Sequence, residues 1–78
     1  MARLRFFAQA RDAAGCREAV VEGDTVDEVI ATAVDRFGPA LGAVLPTSTV
    51  WVNGERVEGS SRVEPGDEIA VLPPVSGG

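Results

Sequence analysis

The chain has no histidine, no lysine and a single cysteine, Cys16. One thiol excludes an internal disulfide framework and a zinc cluster, and without imidazole the commonest metal ligand and general base is missing. All seven basic residues, at 3, 5, 11, 17, 36, 56 and 62, are arginine, so no side-chain amine is present to accept an acyl group. Codon bias gives the same composition. No apolar run approaches the roughly 20 residues that span a bilayer, and the apolar part of "MARLRFFAQ" is too short for a signal peptide. Clustered positive charge is lacking as well. The net charge of −5 argues against a nucleic-acid or anionic-membrane partner, because those surfaces are bound by replacing counterions with basic side chains. The expectation is a soluble cytoplasmic protein whose partners are other proteins.

What is present is enough for one small domain. Seventy-eight residues with 45% apolar content lie near the lower limit for a core that folds without staples, and the apolar fraction is too high for a disordered chain. "RLRFFA" alternates with a period of two, placing Leu4, Phe6 and Ala8 on one face and Arg3, Arg5 and Phe7 on the other. "QARDAAGC" is a small-residue connection with Gly15 as its turn, and "REAVVEG" is a second strand in which Ala19 and Val21 share a face. Together they predict a hairpin.

"TVDEVIATAVDRFG" is a helix with both ends marked. Thr25 and Glu28 form a Thr-x-x-Glu capping box, Asp27 and Glu28 complement the helix dipole, and Gly38-Pro39 stops it. Val26, Val29, Ile30, Ala33, Val34 and Phe37 recur at helical spacing, so one apolar stripe must pack on a sheet. "PALGAVLP" is a compact linker, read as a helical turn that brings Ala40, Leu41 and Leu45 under the core. "STVWVNGERV" is a hairpin about Asn53-Gly54, a dipeptide suited to positive φ. "EPGDEIAVLPP" opens on a Pro65-Gly66 turn and runs into a last strand with alternating Ile69, Val71 and Ala70, Leu72.

This order predicts an α+β fold, a sheet with one main helix across one face. If Leu4, Phe6, Val50, Val52, Ile69 and Val71 pack under the helix, then Phe7, Trp51, Ala70 and Leu72 lie on the uncovered face. An exposed apolar patch there would mark a partner surface. The alternative is that the chain folds back over it or that Trp51 buries at a rim. The domain is read as residues 1–72, followed by a flexible tail, 73–78, ending in Gly-Gly.

The tail is the feature that points to chemistry. Pro73 and Pro74 lack N–H donors and restrict φ, so they end the strand ladder and direct the chain away in extended form. Val75 and Ser76 lead to Gly77-Gly78, which can enter a channel too narrow for a β-carbon. A terminal carboxylate at Gly78 would be ionised at neutral pH, with a pKa of about 3.3 to 3.7, and unreactive until activated. Adenylation with ATP would supply a leaving group, and a sulfur nucleophile could then take the acyl carbon.

"RLRFFAQARDAAG", "VWVNGERV" and "PGDEIAVLPPVSGG" resemble, end to end, the MoaD family, the small subunits of molybdopterin synthase among the ubiquitin-like MoaD/ThiS sulfur carriers. The resemblance implies a ubiquitin-like β-grasp fold with a mixed sheet whose first and last strands are adjacent and parallel. It implies that Gly78 is adenylated by a ubiquitin-activating-like adenylyltransferase of the MoeB type, converted to a thiocarboxylate with a sulfur donor enzyme, and inserted into a MoaE-type large subunit. There its sulfur would pass to a pterin precursor within a heterotetramer. Gly77 would give clearance, and Phe7, Leu72, Pro73, Pro74, Val75 and Ser76 would contact partners. Leu72 stands where the family more usually has an aromatic. No cofactor would be bound permanently, ATP being used by the activating partner, and the chain would supply no catalytic side chains of its own.

Three classes of function remain open on the residues themselves. A sulfur carrier could serve molybdopterin, thiazole or cysteine synthesis; a ubiquitin-like modifier would use the same glycine to form isopeptide bonds; an interaction module would bind through the patch with an inert tail. Cys16 is assigned no role, no metal site is expected, and the acidic groups Asp24, Asp27, Glu28 and Glu64, Asp67, Glu68 are read as a helix cap and a solvated turn.

Overall fold

The computed structural model describes residues 1–74. Expectations that fall on Val75, Ser76, Gly77 and Gly78 lie outside the described residues.

Strand β1 (Ala2–Phe6) shows strict alternation, with Ala2, Leu4 and Phe6 buried and Arg3 and Arg5 exposed. It is followed by a helix, α1 (Ala8–Ala14), and not by the simple turn expected from "QARDAAGC". Gly15 is in the left-handed region at φ 78° and its N–H donates to the Arg11 carbonyl, which makes it a helix C-cap. Seven residues are too few for a stripe to be visible, and Ala10 is the residue of α1 that is buried. Strand β2 (Glu18–Val21) still pairs antiparallel with β1, so the two strands are partners as expected, with a helix between them.

Helix α2 (Val26–Phe37) buries Val26, Val29 and Ala33, and Ile30, Val34 and Phe37 are half-buried against the core. The predicted stripe is therefore the packed face. Phe37 meets Phe6 edge-on with ring centroids 5.5 Å apart. Thr25 Oγ1 accepts the Glu28 N–H at 3.2 Å and donates to Glu28 Oε2 at 3.1 Å, a variant of the box in which the glutamate returns to the hydroxyl. The two N–H groups before it are satisfied from far along the chain: Val26 donates to the Ser61 carbonyl at 3.0 Å and Asp27 to that of Gly59 at 2.8 Å. Loop 57–67 thus straps the start of α2.

Gly38, at φ 102°, separates α2 from α3 (Pro39–Val44), and a 3-10 turn follows over Leu45–Thr47. Leu41 is buried as expected, but Ala40 is exposed and Leu45 half-buried, because a short helix turns successive residues to different sides. Strands β3 (Thr49–Val52) and β4 (Glu55–Arg56) form the hairpin about Asn53-Gly54, at φ 50° and 86°, both values required by a primed turn. Strand β5 (Glu68–Leu72) closes the sheet in the order β2-β1-β5-β3-β4. It runs parallel to β1, with Leu4 opposite Ile69 and Phe6 opposite Val71, and antiparallel to β3. This is the mixed sheet of a ubiquitin-like β-grasp, with its core between the sheet and α2.

Gly23 lies close against the backbone of α2. Its φ is 156°, and a β-carbon there would stand 2.7 Å from both the backbone nitrogen and Cγ2 of Val29. Backbone nitrogen in a helix cannot retreat, so Gly23→Ala is expected to destabilise the fold by about 1–3 kcal/mol. For a domain of this size each kcal/mol lowers the melting temperature by roughly 4–8 °C, which a thermal unfolding curve measures directly.

Candidate functional site

The sheet face opposite α2 is uncovered, and strand register places its side chains in rows. Arg5, Ala70, Trp51 and Arg56 lie side by side on β1, β5, β3 and β4. One step further, Leu72 stands opposite Thr49, and Phe7 follows β1 at the same end because Phe6 is level with Val71. Ala70 is small and sits between larger neighbours. The result is a shallow open depression of about 340 Å³ lined by Phe7, Trp51, Gly54, Glu68, Ala70 and Leu72.

Phe7 and Leu72 are each 37% exposed, whereas Trp51 and Ala70 are half-buried. The four residues expected on the uncovered face are therefore together on it, and Trp51 is neither free nor fully covered. Phe7 holds an extended backbone and the chain turns sharply at Ala8, at φ 49°. Arg5 was not singled out from the sequence. Its guanidinium lies 5.4 Å from the Phe7 ring centroid and pairs with Glu68 at 3.4 Å, so charge borders the apolar patch. Both partners are nearly half exposed, and such pairs contribute at most about 1 kcal/mol.

β5 is the central strand and also the one from which the tail leaves. Pro73 is buried and Pro74 exposed, so the chain passes from body to solvent between two prolines. Val75 and Ser76, expected to contact partners, and Gly77 and Gly78, expected to carry the chemistry, lie outside the described residues. Among the described residues there is no group of His, Cys, Asp or Glu arranged to hold a metal ion. Cys16 is half-buried near Arg11 and Arg17, away from the depression.

The start of β5 is fixed by a polar bracket that the sequence did not reveal. Asn53 Nδ2 donates to Asp67 Oδ1 and Asn53 Oδ1 accepts the Glu68 N–H, both at 3.0 Å. The Glu64 N–H donates to Asp67 Oδ2 at 2.8 Å. The hairpin dipeptide therefore also serves as a clamp on the turn before β5.

The ThiS family model matches residues 4–78. The chain belongs to the ThiS family. It is a ubiquitin-like sulfur carrier of the ThiS/MoaD kind. This ThiS-family chain is 32% identical over 81 residues to the molybdopterin synthase sulfur carrier subunit of Chlamydomonas reinhardtii, covering 97% of the chain and 96% of that protein. It is 30% identical to small archaeal modifier protein 1 from Methanosarcina acetivorans, with a TM-score of 0.86 over 99% of this chain and 95% of that one. It also shares its fold with a chain in the complex of subunits 1 and 2 of the molybdopterin-converting factor from Helicobacter pylori, at 22% identity and a TM-score of 0.71, covering 99% of this chain and 97% of that one. No helix among the described residues is long and apolar enough to cross a membrane.

Asp67 makes the clamp sensitive to acid. The Glu64 N–H, and then the Asn53 amide, hold its carboxyl below the ordinary 3.8. Folding therefore favours the ionised form: its contribution is complete above the unfolded pKa and is lost as pH falls through the lower folded value. Asp67→Asn is expected to lower the urea midpoint at pH 7 and to flatten the fall in stability below about pH 4. Urea titrations of both proteins at neutral and acidic pH measure the difference.

Proposed function

We propose that this protein is the sulfur carrier subunit of a molybdopterin synthase and that Gly78 carries the sulfur. The similarity to the Chlamydomonas subunit over nearly the whole of both chains is the observation that carries this reading. A face with exposed Phe7 and Leu72 beside the departure point of the tail supports it, because a carrier must dock before its terminus can be threaded into a partner's site.

On this reading the Gly78 carboxylate attacks the α-phosphorus of ATP in an adenylyltransferase of the MoeB type, and pyrophosphate leaves. Hydrosulfide supplied by a donor enzyme then attacks the acyl carbon and AMP departs, leaving a thiocarboxylate. Gly77 provides clearance in the channel, and Pro73, Pro74, Val75 and Ser76 form the lead. The thiocarboxylate enters a MoaE-type large subunit, in a heterotetramer, and its sulfur passes to a pterin precursor. The chain contributes the reacting terminus and a docking surface, the catalytic side chains and ATP belong to its cytoplasmic partners, and no cofactor is bound permanently.

A second reading is favoured by the similarity to small archaeal modifier protein 1. In it the activated glycine is attacked by a lysine amine of another protein, forming an isopeptide bond. Carriers for thiazole or cysteine synthesis differ from the first reading in acceptor alone.

Intact mass spectrometry after incubation with the host activating enzyme, ATP and a sulfur source tests the carrier. The expected result is a gain equal to one oxygen replaced by sulfur, absent in a variant lacking Gly78. Conjugates on lysines of other proteins without that gain would favour the modifier, and neither gain nor conjugates with an active enzyme would overturn both chemical readings. Leu72→Arg is expected to weaken binding to the large subunit by at least tenfold, about 1.4 kcal/mol, as measured by calorimetry.

A further inference from the structure

The last rung of the sheet carries a hydrogen-bond relay. Trp51 Nε1 donates to Thr49 Oγ1 at 3.1 Å, and Thr49 Oγ1 donates to the Leu72 carbonyl at 3.3 Å. Its polarity is forced, because indole N–H is donor only and a carbonyl is acceptor only. The hydroxyl must accept from Trp51, which leaves its single proton for Leu72. Thr49 is directly opposite Leu72 across the β3–β5 ladder.

Leu72 is also the last residue of β5, and Pro73 has no N–H with which to continue the ladder. The residue before Thr49 turns away: Ser48 donates its N–H to Leu45 and its hydroxyl to the Val44 carbonyl. Thr49 is therefore the last β3 residue in register with β5, and the orientation of the Leu72 carbonyl sets the direction of the Leu72-Pro73 peptide. Six residues follow Leu72, and an extended segment of that length reaches at most roughly 20 Å. The Leu72 carbonyl thus fixes the direction in which the chain enters Pro73 and Pro74.

We propose that Thr49, held in its rotamer by Trp51, is a positioning residue that aims the C-terminal segment for its activating partner. The assignment rests on the carrier reading. Thr49 does not touch the reacting atoms; it acts through the Leu72 carbonyl. A tail already aimed loses less freedom on binding, so its effect falls on association with the partner and not on the chemical step.

The test measures ATP-dependent thiocarboxylate formation by intact mass, with the activating enzyme, a sulfur source and varied concentrations of wild type, Thr49→Val, Thr49→Ser and Trp51→Phe. Valine keeps the β-branched shape and removes the hydroxyl, serine restores the hydroxyl, and phenylalanine keeps a ring without its N–H. Thr49→Val is expected to raise KM about three- to tenfold, the size of one net hydrogen bond, with kcat unchanged. Thr49→Ser returns KM to the wild-type value, and Trp51→Phe raises it. The indole N–H resonance of Trp51, the single tryptophan, shifts in Thr49→Val and not in Thr49→Ser. A wild-type KM in Thr49→Val, or a serine variant as impaired as the valine one, overturns the assignment while leaving the carrier reading standing. Wild type that gains no sulfur overturns the carrier reading and this assignment with it.

Discussion

The pairing of the first strand with the last holds the molecule together. β1 and β5 are separated by most of the chain, yet they lie side by side and parallel, with Leu4 beside Ile69 and Phe6 beside Val71 under α2. These four side chains are 3% exposed or less, and burying each aliphatic or aromatic group of this kind contributes about 1.5–3 kcal/mol. Each has its place through that one register. A slip by one residue would turn Arg5 and Ala70 inward and expose the core of both strands. β2 and β3 attach on either side of this pair, and the loop that returns the chain to β5 also satisfies the first N–H groups of α2. Sheet, helix and strap therefore form one cooperative unit.

The two faces of that sheet have separate tasks. One carries Leu4, Phe6, Val21, Ile69 and Val71 and is closed by helix packing. The other presents Phe7, Trp51 and Leu72 around the low floor of Ala70, with Arg5 and Glu68 at its border. Such a division suits the proposed role, in which the terminus is the reacting group. Alternation along β5 lets one strand anchor the core, floor the exposed apolar depression and lead into the tail.

Much of this was legible in residue patterns, for identifiable reasons. The capping box at Thr25, the stripe on α2 and the Asn53-Gly54 turn are local signals, and each predicted its element. The period of two placed Phe7, Trp51, Ala70 and Leu72 on one face before their strands were known to be neighbours. The parallel neighbourhood of β1 and β5 is a long-range pairing that no local pattern encodes, and it was expected from the family resemblance alone. α1 was missed because seven residues containing four alanines carry no apolar stripe, and Gly15 fits a turn as readily as a C-cap. The strap carbonyls of Gly59 and Ser61, the Asn53 clamp and the Thr49 relay all join residues distant in sequence through polar atoms. Asn53 was recognised for its backbone, whereas its side chain holds Asp67 and Glu68.

The parallel arrangement of β1 and β5 also has a mechanical side. On the proposed reading the carrier is pulled by its C-terminal end when it leaves a partner, and that force enters the body at Leu72. It runs along the axis of β5, against β1 on one side and β3 on the other, so every rung of both ladders resists in shear at once. Force at an edge strand such as β4 would instead open rungs one after another, like a zipper. Placing the departure point on the central strand therefore lets the domain be tugged repeatedly without unravelling.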